Sequence, residues 1–203
     1  IIEECKQILN KTSFAPDPSL YNPSTRKLTF NSKDPLINFI KVRAFDVCTF
    51  VAFGAAQIGI AGEDVIREFD YSEVYAPCDL NIGHCRLSVA APSKLIKKEE
   101  PSTWSNIRIA TKYPNITKNF FAKKGVQVET IKLNGSMELA PSLSMCRRIV
   151  DLVSTGKTLK ENGLKEVEQI LKVQSKLIVN RSAYKTKTSK IEFIIKQIDK
   201  IVL

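Results

Sequence analysis

The chain has 203 residues, of which 43% are hydrophobic and 26% charged, and it carries a formal net charge of +10, values that suit a globular protein able to bury the core of one large domain or two small ones. No apolar run approaches the roughly 18–20 residues that cross a bilayer, and Ile1 to Lys11 mixes acids with bases where a signal peptide would be apolar. The lysines at Lys94, Lys97 and Lys98, at Lys123 and Lys124, and from Lys185 to Lys200 are interrupted by acids and apolar residues, so solvated faces account for most of the excess charge and no nucleic-acid partner is expected.

Ile1, Ile2, Cys5, Ile8 and Leu9 recur at helical spacing and predict an opening amphipathic helix. Prolines 16, 18 and 23 make the next segment irregular; Leu28 and Phe30, then Phe39, Ile40 and Val42, read as short strands. A helix is predicted from about Phe45 to Phe53. The run from Gly54 to Val65 reads as a small-residue turn, a short apolar strand and a helix beginning near Glu63, with Gly59 and Gly62 placed for close approach of backbone or ligand. Cys85 to Ala91 is a further strand, and the lysine- and proline-rich stretch from Pro92 to Ser105 marks a crossing into a second domain, with Trp104 as domain-edge packing.

The second half alternates. Strands are predicted at Ile107–Ala110, Val126–Leu133 and Ile149–Val153, and helices at Ile116–Lys124 and Glu138–Ser144, an order that implies a sheet covered by helices on both faces. A helix over Leu164–Leu171 and a strand over Lys176–Val179 follow, the strand leading the chain back to the first domain. Ile191, Ile194, Ile195, Ile198 and Ile201 mark a terminal amphipathic helix. The expected domains are 1–88 with 176–203, and 89–175.

Five cysteines, with no C-x-x-C pair among them, read as reduced thiols of a cytoplasmic protein. The single histidine, His84, adjoins Cys85, but no second ligand cluster completes a tetrahedron with them and Cys78, so no metal site is expected there.

The chemistry concentrates in Asp151-Leu152-Val153-Ser154-Thr155-Gly156-Lys157-Thr158-Leu159. A β-branched strand ends in an acid and enters a hydroxyl-rich glycine turn ahead of a helix, a layout in which N–H groups and the helix start favour a phosphate. Ser154, Thr155 and Thr158 add hydroxyl donors. A nucleotide-hydrolase P-loop would need glycine where Asp151 stands. An acid at that point suits a sugar instead, because a carboxylate accepts hydrogen bonds from two vicinal hydroxyls. Local pattern alone leaves open a capped strand-to-helix turn without a ligand.

This run, with Asn162-Gly163-Leu164, resembles the phosphoribosyl pyrophosphate loop of the ATP phosphoribosyltransferases. Further matches cover nearly the whole chain, among them Arg26-Lys27-Leu28, Val42-Arg43-Ala44, Cys85-Arg86-Leu87, Arg108 to Asn115, Lys132 to Ser136 with Glu138 to Pro141, and Leu177 to Arg181. The resemblance implies an α/β, two-lobed fold of the periplasmic-binding-protein type (type II), with two mixed sheets flanked by helices. It also implies transfer of phosphoribose from phosphoribosyl pyrophosphate to N1 of ATP, at the start of histidine synthesis, with Mg²⁺ on the substrate phosphates.

On the same ground Asp151 would hold the ribose hydroxyls with help from Glu138, and Ser154, Thr155, Gly156, Lys157 and Thr158 would hold the 5′-phosphate. Arg43, Asp64 and Tyr113 would contact ATP. Likeness to the short forms implies an oligomer with a regulatory partner similar to a histidyl-tRNA synthetase, and an opening strand with a Lys-Gly-Arg turn ahead of Ile1. Arg147 and Gln57 stand where relatives usually carry Asp. A non-catalytic two-lobed ligand-binding protein is the alternative reading, because the same fold serves that task.

Overall fold

The computed structural model describes residues 2–96 and 106–202. The stretch from Pro92 to Ser105 is therefore described as far as Ile96, and Lys97, Lys98 and Trp104 lie outside the described residues. In chain order the first elements are α1 (Ile2–Leu9), β1 (Thr29–Asn31), β2 (Asn38–Ile40), α2 (Val47–Ala52), β3 (Ile58–Gly62), α3 (Glu63–Phe69), β4 (Val74–Asp79), β5 (Cys85–Pro92) and α4 (Ser93–Ile96). Then come β6 (Asn106–Thr111), α5 (Pro114–Ala122), β7 (Gln127–Lys132), α6 (Leu139–Ser142), β8 (Arg148–Val153), α7 (Lys157–Glu161), β9 (Leu164–Val173), β10 (Ser175–Asn180), α8 (Arg181–Thr186) and α9 (Thr188–Val202). Two compact units result: Ile1–Ile66, Asp70–Gly83 and Gln174–Leu203 form one, and Arg67–Phe69 with His84–Val173 the other.

In the first unit β10 lies between β3 and β4 and pairs antiparallel with both, while β1 and β2 form a separate antiparallel pair. The predicted apolar stripes of the first and last helices meet in one core: Cys5, Ile8 and Leu9 of α1 are buried with Ile194 and Ile198 of α9, Leu177 of β10 and Leu80. Gly59 is needed for packing, not for a ligand. A Cβ there would stand 2.8 Å from a Val47 methyl and 2.9 Å from a Val51 methyl, so α2 sits on β3 at a distance that only glycine permits.

The second unit is built on a five-stranded sheet in the order β7-β6-β8-β5-β9. β6 pairs parallel with β7 and with β8, whereas β5 pairs antiparallel with β8 and β9. Leu87 to Ala91 of β5 are all buried, and Leu87 and Val89 have no exposed surface. Phe121 of α5 is likewise fully buried, a burial that contributes about 1.5–3 kcal/mol.

Leu164–Leu171, expected to be helical, is the edge strand β9. Four of its five apolar residues, Leu164, Val167, Ile170 and Val173, follow a spacing of three because the strand carries two bulges. Glu166 pairs with Ala90 and Glu168 with Val89, so Val167 is an extra residue; Gln169 pairs with Ser88 and Leu171 with Leu87, so Ile170 is another. Each inserted residue turns a period of two into a local period of three, which imitates one side of a helix.

α6 closes with the Met145 N–H donating to the Ala140 carbonyl at 3.0 Å, and Ser144 in between has φ +58°. This is the left-handed position of a Schellman ending, where glycine is at ease and serine is strained. Ser144→Gly is therefore expected to raise stability by about 0.5–1 kcal/mol, the relieved strain being partly offset by the freer unfolded chain. An unchanged or lower urea midpoint would contradict this.

Candidate active site

The topology of the second unit creates a crevice. The chain leaves β6 through α5 to β7 on one side and returns through α6 to β8 on the other. The carboxyl ends of β6 and β8 thus flank the point where strand order reverses, the place where open α/β sheets bind ligands. Thr111 at the end of β6 lies beside Val150 in the parallel register, which sets Lys112 next to the end of β8 that bears Asp151.

Asp151 is half-buried, and its Oδ1 accepts the Leu152 N–H at 2.8 Å. Burial pushes its carboxyl above the ordinary aspartate value; the Leu152 hydrogen bond lowers it, the neighbouring Glu138 charge raises it and the Lys112 charge lowers it. Asp151, Glu138 and Lys112 thus share one electrostatic neighbourhood. Glu138 is half-buried where the chain enters α6.

Beyond β8, Ser154 and Thr155 are exposed and Gly156 turns the chain with φ +76°. A Cβ at Gly156 would meet nothing nearer than a Val153 methyl at 3.9 Å. The glycine therefore answers to backbone conformation, not to crowding. Thr155 Oγ1 accepts the Lys157 N–H at 3.4 Å, and the first helical hydrogen bond of the turn runs from the Lys160 N–H to the Gly156 carbonyl at 3.1 Å. The N–H groups ahead of it belong to a helix start, whose donors have no partners within the helix. Lys157 and Thr158 are exposed on this turn; the Lys157–Glu161 ion pair, 3.9 Å long and well exposed, contributes little.

The remaining sequence candidates fall in both units. Arg43 is exposed ahead of the 3-10 turn Ala44–Asp46, and Asp64 is 5% exposed in the first turn of α3; both belong to the first unit. Tyr113, 2% exposed, belongs to the second, where its N–H donates to Thr111 Oγ1 at 2.9 Å just before α5. The start of α5 is capped by buried Glu68, whose carboxylate accepts the Asn115 and Ile116 N–H groups at 3.0 Å.

Sequence reasoning did not single out Lys112 or the polar group behind the loop. Arg86 on β5 donates through Nε and Nη2 to both Glu166 oxygens, at 2.7 and 2.6 Å, and through Nη1 to the Ser154 carbonyl at 3.0 Å. Ser88, fully buried, donates to the same carboxylate at 2.7 Å. The alternation Arg86, Ser88 on a strand facing the loop was the available signal; its partner lay in the segment read as helix.

The family profile for HisG, ATP phosphoribosyltransferase, matches residues 43–200. The chain belongs to the ATP phosphoribosyltransferase family. Family relatives include the ATP phosphoribosyltransferase of Rhodospirillum rubrum, 57% identical over 93% of this chain and 83% of that protein. That of Geobacter metallireducens is 50% identical over 100% of this chain and 94% of that protein. A solved structure described as the ATP phosphoribosyl transferase (HisG:HisZ) complex from Thermotoga maritima matches with a TM-score of 0.81 at 32% identity, covering 98% of this chain and 92% of the other.

A periplasmic sulfonate-binding protein from Methylobacillus flagellatus matches with a TM-score of 0.54 at 13% identity, over 75% of this chain and 51% of the other. That likeness concerns the fold alone and agrees with the α/β, periplasmic-binding-protein-like class expected for the family. Among the described residues, no helix is long and apolar enough to cross a membrane.

Proposed function

We propose that phosphoribosyl pyrophosphate binds at the carboxyl end of β8, with its 5′-phosphate on the turn Ser154–Thr158 and its ribose hydroxyls on Asp151. The observation that carries this reading is the glycine turn at φ +76° that follows the strand bearing a half-buried acid, beside the switch point of the sheet. As a family member the chain is a pentosyltransferase that performs the first step of histidine biosynthesis. N1 of the adenine of ATP attacks C1 of phosphoribosyl pyrophosphate, the bond from C1 to the leaving oxygen breaks, and pyrophosphate departs with the electron pair.

The adenine nitrogen attacks with its own lone pair, so alignment and electrostatic support outweigh proton transfer in this reading. Positive charge developing on the ribose is supported by the Asp151 carboxylate, with Glu138 beside it. Lys112 supplies a cation at the neighbouring strand end for the phosphate groups. We assign Arg43, Asp64 and Tyr113 to contacts with ATP, on family resemblance.

Among the described residues no three His, Cys, Asp or Glu side chains gather into a metal site. Mg²⁺ commonly takes one or two protein carboxylates together with substrate phosphates, so we place it on the substrate, with Asp151 and Glu138 as the carboxylates able to face it. Bound there it would neutralise the leaving pyrophosphate. Pyrophosphate release that requires both ATP and phosphoribosyl pyrophosphate tests the assignment; release from either alone, or none, would contradict it.

We further propose that the chain works in an oligomer with a regulatory partner of the histidyl-tRNA synthetase type, in the cytoplasm. The matching Thermotoga maritima structure is of a HisG:HisZ complex. The cytoplasm suits the thiols: all five cysteines are free, and burial raises Cys5, Cys48 and Cys78 from 9.0 to about 11, which keeps them protonated and unreactive. Histidine is expected to inhibit the chain purified with its partner and to leave the isolated chain unaffected. Full inhibition of the isolated chain would overturn the two-subunit reading. Within the isoleucine stripe of α9, Ile191, Ile194 and Ile198 are buried in the chain itself, with Ile195 and Ile201 partly buried.

A further inference from the structure

The proposed phosphate turn has no packed side chain of its own to hold its shape. Ser154, Thr155, Lys157 and Thr158 are exposed, and Gly156 has no side chain to pack. Ordering such a turn around a phosphate costs conformational entropy, which weakens binding unless the turn is already fixed. Asn162 Nδ2 donates to the Thr158 carbonyl at 2.9 Å at the helical end of the turn, and at its start Arg86 reaches over from β5, with Nη1 donating to the Ser154 carbonyl at 3.0 Å.

Arg86 is itself held rigidly. Its Nε and Nη2 form a two-pronged pair with Glu166, and Glu166 is fixed in turn by the hydroxyl of buried Ser88. The fork consumes one edge of the guanidinium and aims the remaining Nη1 donor at the turn, a geometry that a lysine ammonium does not reproduce. The sheet register supports the same arrangement: Arg86 lies opposite Val153, the last residue of β8, and Ser88 lies opposite Asp151. One face of β5 thereby backs both the turn and the acid that precedes it.

We infer that Arg86, locked by Glu166 and Ser88, is a positioning residue that pre-forms the Ser154–Thr158 turn for the 5′-phosphate of phosphoribosyl pyrophosphate. This rests on the reading of that turn as the phosphate site. The clamp acts on the affinity for one substrate and leaves the other substrate alone. Its removal raises the KM for phosphoribosyl pyrophosphate without an equal change in the KM for ATP. An ordinary surface ion pair has no such selectivity, and the same sheet supplies a control in Arg108–Glu129, joined at 2.8 Å with both side chains more than half exposed.

The test measures both KM values, kcat and the thermal midpoint for Arg86→Met, Arg86→Lys and Arg108→Met, with Gly156→Val as the reference for the turn. Loss of a hydrogen bond made by a charged donor predicts a KM for phosphoribosyl pyrophosphate raised about tenfold or more in Arg86→Met, a KM for ATP within about twofold, and no rescue by Arg86→Lys. Arg108→Met is expected to behave as wild type. If Arg86→Met does not fold, Glu166→Gln, which keeps the side-chain shape and unlocks the fork, is expected to give the same selective rise. Equal changes in both KM values, full rescue by lysine, or unchanged kinetics would overturn the clamp. Unchanged affinity in folded Gly156→Val would overturn the phosphate-turn reading itself, whereas a damaged Gly156→Val beside an unaffected Arg86→Met would overturn the clamp alone.

Discussion

Gly156→Val is expected to abolish measurable binding of phosphoribosyl pyrophosphate while the protein remains folded. The cause is conformational. Gly156 sits at φ +76°, where a β-branched side chain is strongly disfavoured, although the space around it is open beyond the Val153 methyl at 3.9 Å. Valine must therefore move the backbone out of the left-handed region, which disturbs the N–H groups from Thr155 to Thr158 that are proposed to hold the phosphate. The turn is at the surface and carries none of the buried core, so the cost falls on binding. Calorimetric titration with phosphoribosyl pyrophosphate measures it; wild-type affinity in a folded variant would remove the phosphate assignment.

Asp151→Asn is expected to lower phosphoribosyl transfer by about a hundredfold or more, because a neutral amide withdraws the charge that supports the developing ribose cation. Stability should move the other way. Burial raises the Asp151 carboxyl above its ordinary 3.8, so the folded state holds this proton more tightly than the unfolded state. The associated stability is complete below the unfolded pKa and is lost as pH rises through the raised folded value. Above that value the wild type has lost it, whereas the amide has no charge to bury and can still accept the Leu152 N–H. The variant should therefore be less active but thermally more stable at pH values above the raised folded pKa, with the difference shrinking in acid. The wild-type rate should fall on the acid side at a pH above the ordinary aspartate range. Steady-state rates within about twofold of wild type would contradict the role given to Asp151.

How far the site was legible depends on where its signals lie in the chain. The turn after Asp151 is a local pattern, with strand, acid, hydroxyls, glycine and helix start all within a short run, and it could be read directly. The β6–α5–β7–α6–β8 alternation was also local and gave the parallel part of the sheet. β4 escaped notice because it contains Pro77 and exposes half of its residues without alternation, features that demote a strand in any pattern reading. β9 was misread because Val167 and Ile170 are bulge residues that shift the apolar period.

That misreading concealed the Arg86–Glu166 pair, since a glutamate on a solvated helix gives no reason to look for a partner 80 residues away. Gly59 shows a different limit: its small size marked a close approach of backbone or ligand, and the neighbours that require it are the side chains of Val47, Val51 and Ile178. A pattern shows that something comes close but not what it is.

The central claim, that the turn after β8 holds the 5′-phosphate, is tested most directly by amide hydrogen exchange with and without phosphoribosyl pyrophosphate. The expected result is slowed exchange concentrated in residues 154–158, as N–H groups at the helix start acquire phosphate oxygens as acceptors. The same protection should be lost in Gly156→Val. Bound phosphoribosyl pyrophosphate that leaves these amides unprotected and slows exchange in another segment would contradict the account.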